Sequence, residues 1–329
     1  MASFRLTATL ALAAGILLSP ALVGAQDKPA DFPKRPVNMI VMYPAGGAVD
    51  VTARTVAKLA ENQLGEQFRV ENRVGGAGMV GHTYLAKNAQ PDGYTIGVIA
   101  NPFMFTDILL RDAPFTKDEF EPIASISFDP VIWVVNAKSE VGQKDFPGII
   151  DYAKSNTMQV GMNPNSMFLF VSEFIEKAKD VKFNFIPFDG GRQGVTALLA
   201  GDVDATAAFY SEIEQYIRNG DLKAVAVTGD KRHPMLSDVP TFDELGVPAS
   251  GHTWGASRFL TLPPGVPEDR KAWLTSALLG VLESEEAKMA FAEAGLTLSP
   301  ADAEETKASY ENTYQSLESF LQSSGRLSK

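Results

Sequence analysis

Glycines set between a strand pattern and a helix pattern are the first residues of this chain that can do chemistry. The stretch Tyr43-Pro44-Ala45-Gly46-Gly47-Ala48-Val49-Asp50 follows an apolar strand-like run at residues 37–42 and leads into a helical pattern at residues 51–64. Side chains are nearly absent there, so backbone N–H groups can approach a ligand, and the helix start adds partial positive charge. The chemistry is that of an anion cradle, and a carboxylate suits it. Asp50 sits at the helix start, where a carboxylate either caps backbone N–H groups or meets a cationic part of a ligand. A second turn of the same form, Phe188-Asp189-Gly190-Gly191-Arg192-Gln193-Gly194, lies between a strand-like run at 183–187 and a helical one at 195–200. Two such turns in different halves of a chain predict two half-sites that close on one solute. Arg192 is either a forked partner for a carboxylate or an exposed helix-start residue in a surface pair.

Other patterns carry less. Gly75-Gly76-Ala77-Gly78-Met79-Val80-Gly81 contains the spacing G-x-G-x-x-G, but Glu71-Asn72-Arg73-Val74 separates it from its strand, and no acidic ribose ligand ends the next strand-like run. It reads as a tight loop opening a helix, not a dinucleotide turn. Asp202 and Asp204 fit a turn, and His82, His233 and His252 lack metal-ligand spacing, so no metal and no cofactor is expected. The chain has no G-x-S-x-G, no H-E-x-x-H, no P-loop and no cysteine. A binding protein is therefore favoured over an enzyme.

The elements that must position these loops alternate. Strand-like runs at 37–42, 67–71, 94–99, 131–135, 158–162, 183–187, 205–209 and 222–228 are separated by helical stretches at 50–64, 79–88, 146–155, 167–177, 194–200 and 212–218. That alternation predicts an α/β fold with largely parallel sheets in two domains. After a possible strand at 258–262, Pro263-Pro264-Gly265-Val266-Pro267 breaks the pattern, and helices start at 268, around 285–294 and at 301–321. Helices alone cannot build such a domain, so they are expected to return and cover the first one.

Residues 6–25 carry no charge, follow Arg5, contain an apolar run at 10–18 and break at Ser19-Pro20 before Val23-Gly24-Ala25. These features predict a secretory signal peptide cleaved after Ala25, rather than a membrane anchor, and a periplasmic product. The formal net charge of −11 argues against nucleic acid and anionic membrane surfaces as partners, while leaving room for a small anion held by local dipoles.

Five segments together resemble the periplasmic receptors of tripartite tricarboxylate transporters, also called Bug or TctC-like receptors. They are Tyr-Pro-Ala-Gly-Gly-Ala-Val-Asp at 43–50, Glu-Asn-Arg-Val-Gly-Gly-Ala-Gly at 71–78, Pro-Asp-Gly-Tyr-Thr at 91–95, Leu-Ser-Asp-Val-Pro-Thr-Phe at 236–242, and Gly-Gly at 190–191 with Ala-Leu-Leu-Ala-Gly-Asp-Val-Asp at 197–204. The resemblance implies a two-lobed periplasmic binding protein fold of type II with the ligand in the interdomain cleft. The lobes are expected at 26–127 plus 251–329 and at 128–250, with crossings near 128–131 and 250–257. It also implies that Ala45, Gly46, Gly47, Ala48, Val49 and Asp50 hold a carboxylate, with Gly190, Gly191 and Arg192 opposite. Val49 stands where many members have a hydroxyl, and Asn163-Pro164-Asn165-Ser166-Met167-Phe168 replaces a more polar turn. The ligand is then expected to be a dicarboxylate or an apolar or aromatic carboxylate, with Phe103, Met104, Met167 and Phe168 as candidate walls or as core. The full set of expected ligand contacts adds Tyr43, Asn101, Asn165, Ser166 and Asp189. The implied role is a monomeric receptor delivering its solute to membrane transport components; a sensor feeding a kinase and a secreted α/β hydrolase are the rival readings.

Overall fold

The computed structural model describes residues 27–163, 166–188, 191–249 and 254–327. The expected signal peptide at 1–25, the site candidates Asn165, Asp189 and Gly190, and residues 250–253 of the second expected crossing lie outside the described residues.

Ten strands are found among the described residues: β1 (Val37–Val41), β2 (Phe68–Asn72), β3 (Thr95–Asn101), β4 (Glu121–Pro130), β5 (Ile132–Asn136), β6 (Met158–Met162), β7 (Phe183–Pro187), β8 (Ala205–Ala208), β9 (Leu222–Val227) and β10 (Gly255–Leu262). They form two five-stranded sheets, ordered β2-β1-β3-β10-β4 and β7-β6-β8-β5-β9. The helices are α1 (Ala48–Leu64), α2 (Met79–Thr83), α3 (Phe103–Leu110), α4 (Phe146–Ser155), α5 (Met167–Lys179), α6 (Gly191–Ala200), α7 (Tyr210–Arg218), α8 (Glu268–Glu283), α9 (Glu285–Glu293) and α10 (Ala303–Ser323). None of the described helices is long and apolar enough to cross a membrane.

The fold is α/β, but its sheets are mixed rather than largely parallel. β1 pairs in parallel with β2 and β3, and β6 with β7 and β8. In contrast, β10 runs antiparallel to β3 and β4, and β5 runs antiparallel to β8 and β9. The reason lies in the passage between sheets: Pro130 ends β4 and Ile132 begins β5, so one residue carries the chain from one sheet to the other. The strand that enters each sheet after a crossing, β5 in one and β10 in the other, runs against its neighbours, whereas β4, which leaves the first sheet, runs in the same direction as β3. β4 is absent from the expected strands, although Ile126 and Phe128 alternate with Ser125, Ser127 and Asp129 as in a half-buried strand.

Burial explains the sheet. All seven residues of β3 are buried, as expected for a central strand covered on both faces. One face carries Met39, Ile96 and Leu260 against Val56, Trp273, Leu278 and Phe291 of α1, α8 and α9. The other carries Ile40, Ile99 and Phe259 against Met104, Phe105, Tyr310 and Leu317 of α3 and α10. Phe320 at the far end of α10 packs on Phe170 and Phe174 of α5, with ring centroids 5.0 and 4.9 Å apart, so this helix bridges the two sheets.

Candidate functional site

Because β1 and β3 are parallel, their carboxyl ends share one edge of the sheet, and the loop at 43–50 and Asn101 emerge there together. Gly46 takes φ +79°, a left-handed conformation that favours glycine, and the backbone then returns to an extended Gly47 at φ −75° before α1 begins. Gly46 is therefore the position in this turn that needs glycine's torsional freedom. No side chain caps the start of α1, and residues 44–48 are exposed. The first-turn N–H groups of α1 thus have no side-chain acceptor at the cap, a state that suits an anion.

Asp50 holds this loop in place. It is 2% exposed; its Oδ2 accepts from the Gly46 N–H at 2.8 Å and from Arg54 Nε at 3.0 Å, and its Oδ1 accepts from Asn72 Nδ2 at 2.8 Å. Asn72 Nδ2 also donates to the Tyr43 carbonyl at 3.0 Å. Burial would raise the Asp50 carboxyl, but the bonds from Arg54, Gly46 and Asn72 outweigh it and hold the group below its ordinary range. Of its two expected roles, Asp50 therefore takes the structural one, as an acceptor for the preceding loop. The Gly46 N–H is bonded to it.

Tyr43 stands edge-on to His82 and Phe103, with centroids 6.3 and 6.4 Å away. Its hydroxyl is buried without a partner, and burial, then the nearby Asp107, pushes the phenol well above its usual range. Asn101 is 2% exposed and its Oδ1 has no partner. Of the candidate walls, Met104, Met167 and Phe168 are core residues, and Phe168 packs edge-on against Phe209 at 5.1 Å. Phe103 is partly exposed. Ser166 is a helix cap: its Oγ accepts from the Phe168 N–H at 3.3 Å and donates to the Asn163 carbonyl at 2.6 Å.

The second glycine turn differs most from expectation. α6 begins at Gly191, and a side chain there would collide with a carboxylate of the protein itself: a Cβ on Gly191 would lie 2.5 Å from Glu212 Oε2. Glu212 accepts the Phe209 N–H at 3.0 Å and the Arg192 N–H, so it caps both α7 and the start of α6. Burial raises the Glu212 carboxyl above its ordinary range, against the pull of those bonds and of the Arg192 charge. Gly191 thus permits an anion to approach backbone, as the sequence implies, but the anion is Glu212. Glu212 lies 20 positions beyond Arg192, and its only local signal is an acidic residue in the first turn of a helix. The Arg192 side chain is exposed.

Where the chain passes between sheets, Arg258 is buried and paired with Asp129, and Nη1 of Arg258 also donates to Ser127 Oγ at 3.2 Å. No group of three or more metal-ligating side chains occurs among the described residues.

A family model described as "Tripartite tricarboxylate transporter family receptor" matches residues 52–324. Protein BugT of Bordetella pertussis is 29% identical over 300 residues, covering 89% of this chain and 90% of that protein. A TctC solute binding protein from Polaromonas superposes with a TM-score of 0.77 at 26% identity, over 89% of this chain and 99% of that one. Rpa4515 of R. palustris, solved with adipate, shares the fold with a TM-score of 0.74 at 24% identity, over 90% of this chain and 99% of that one. The family model covers well over half of the chain, from residue 52 inside α1 to residue 324, so this chain belongs to the tripartite tricarboxylate transporter receptor family, the TctC or Bug solute-binding proteins.

Proposed function

We propose that the protein is exported, with residues 1–25 removed, and captures a small organic carboxylate in the cleft between two lobes for delivery to membrane transport components. The observation that carries this reading is the start of α1, exposed, free of side-chain caps and braced from behind by Asp50. The lobes proposed are 26–127 plus 251–329 and 128–250. Supporting this division, β1 to β4 and β10 share one sheet and β5 to β9 the other. The carboxylate head sits on the first-turn N–H groups of α1, with Phe103 and Tyr43 beside it.

Glu212 refines the ligand class. A second carboxylate at the start of α6 would meet a protein carboxyl already seated there. A monocarboxylate with an apolar or neutral distal end therefore fits better than a dicarboxylate, although the R. palustris relative holds adipate. The test is native purification followed by denaturation and mass spectrometry of the released molecule, with a thermal-shift panel that pairs benzoate and hexanoate with adipate and malate. A true ligand at about 100 times its Kd stabilises the native state by roughly 2.7 kcal/mol. A panel in which only amines or neutral sugars stabilise the protein refutes the carboxylate reading.

A further inference from the structure

A cavity of about 460 Å³ lies between α10 and the face of the first sheet that carries Ile99 and Phe259. It is lined by β3, β4, β10, residues 299–301 and the first half of α10, and by none of the second sheet. We propose that this cavity is a second small-molecule site, sharing only Asn101 with the expected carboxylate contacts, and that it takes a ring-sized molecule bearing hydrogen-bond donors, neutral or cationic.

Its chemistry is opposite to that of the cradle. At its buried end, Asn101 and Ser257 face each other as direct partners in the β3–β10 pairing, and Asn101 Oδ1 and Ser257 Oγ are both buried without a partner. A buried acceptor without a donor costs about 1–3 kcal/mol, so the site is built to receive an O–H or N–H. Phe128, Phe259 and Tyr310 supply aromatic wall; the Tyr310 hydroxyl is taken by the Lys117 carbonyl at 2.7 Å, leaving its ring for contact. Among the described residues no lysine or arginine lines the cavity, and the one charged lining residue is the exposed Glu305 at the α10 end. An anion meets no positive charge there, whereas an ammonium group can donate to the Glu305 carboxylate. The volume falls in the range of small-molecule sites.

Tyramine and tyrosol test this, since both carry a phenol on a two-carbon arm and differ only in the ammonium or hydroxyl at its end. On the full-length mature protein, saturation-transfer NMR and calorimetry are expected to show both binding at millimolar concentration or better, with tyramine about two- to five-fold tighter, as an exposed ion pair allows. Glu305→Gln removes the tyramine advantage and leaves tyrosol unchanged. Ser257→Phe fills the buried end and abolishes binding of both probes. Ala308→Trp, at an exposed lining position on α10, closes the cavity from outside and does the same without disturbing the core. Capture of a carboxylate at α1 survives Glu305→Gln and Ala308→Trp. The proposal is overturned if neither probe binds at millimolar concentration, which makes this a water-filled cavity only, or if binding persists in Ala308→Trp.

Discussion

Removing the Asp50 carboxylate is the most direct way to ask whether the α1 loop is a preformed cradle. The group accepts from Gly46 N–H at 2.8 Å, Asn72 Nδ2 at 2.8 Å and Arg54 Nε at 3.0 Å. The Arg54 side chain is 51% exposed, so its share is discounted to under about 1 kcal/mol. The two remaining donors bond a charged acceptor, each worth about 1.5–3 kcal/mol in a buried setting. Gly46 is exposed, so water replaces part of its bond. The expected cost of Asp50→Ala is therefore about 2–3 kcal/mol, read by urea unfolding at neutral pH. Asp50→Asn keeps one acceptor oxygen and loses about half as much. Because the folded carboxyl is held below its ordinary range, its contribution is complete above that range and is lost as pH falls through the folded value. The stability gap between wild type and Asp50→Asn should narrow on acidification. Calorimetry with the ligand identified by mass spectrometry supplies the second readout, where the loosened loop weakens binding about ten-fold or more. An Asp50→Ala protein as stable as wild type refutes the brace, and one that is destabilised yet binds normally refutes the cradle.

Further outcomes follow from the same geometry. Gly46→Ala forces a Cβ at φ +79° and costs about 1–2 kcal/mol even though nothing crowds it, whereas Gly47→Ala, at φ −75° with only the Pro44 carbonyl 3.2 Å from its Cβ, unfolds within about 0.5 kcal/mol of wild type. Gly47→Val stays folded by circular dichroism but loses carboxylate binding, because its branched side chain stands over the first-turn N–H groups. Glu212 is raised by burial, so the folded state holds its proton to higher pH than the unfolded chain does; its stabilisation is present below the ordinary carboxylate range and declines as pH rises through the raised value. Denaturant titrations across about pH 4 to 8 should show that Glu212→Gln lacks this decline. Arg192→Ala weakens carboxylate capture about 10- to 100-fold by calorimetry if its guanidinium reaches the ligand, and an unchanged affinity makes it a surface residue.

What the sequence determined by itself is local. The loop at 43–50 is legible because an apolar strand, a run of small residues and a helical period follow one another within a few residues, and backbone geometry answers to that order. The α8, α9 and α10 helices are legible for the same reason, since period 3.6 and the Pro263-Pro264-Gly265 break need no distant partner. Tertiary structure decided everything that depends on which distant residue fills a local demand. Nothing near Gly191 announces that its anion is Glu212, and nothing near Asp50 announces Asn72 as its partner. Strand direction was likewise decided at long range, since β10 arrives beside β3 only after the chain has built the second sheet between them. Asn101 and Ser257, 156 positions apart, share a cavity because antiparallel pairing sets them opposite each other and α10 closes over both. Backbone periodicity states what each segment needs, and packing over long loops selects which of many chemically suitable side chains supplies it.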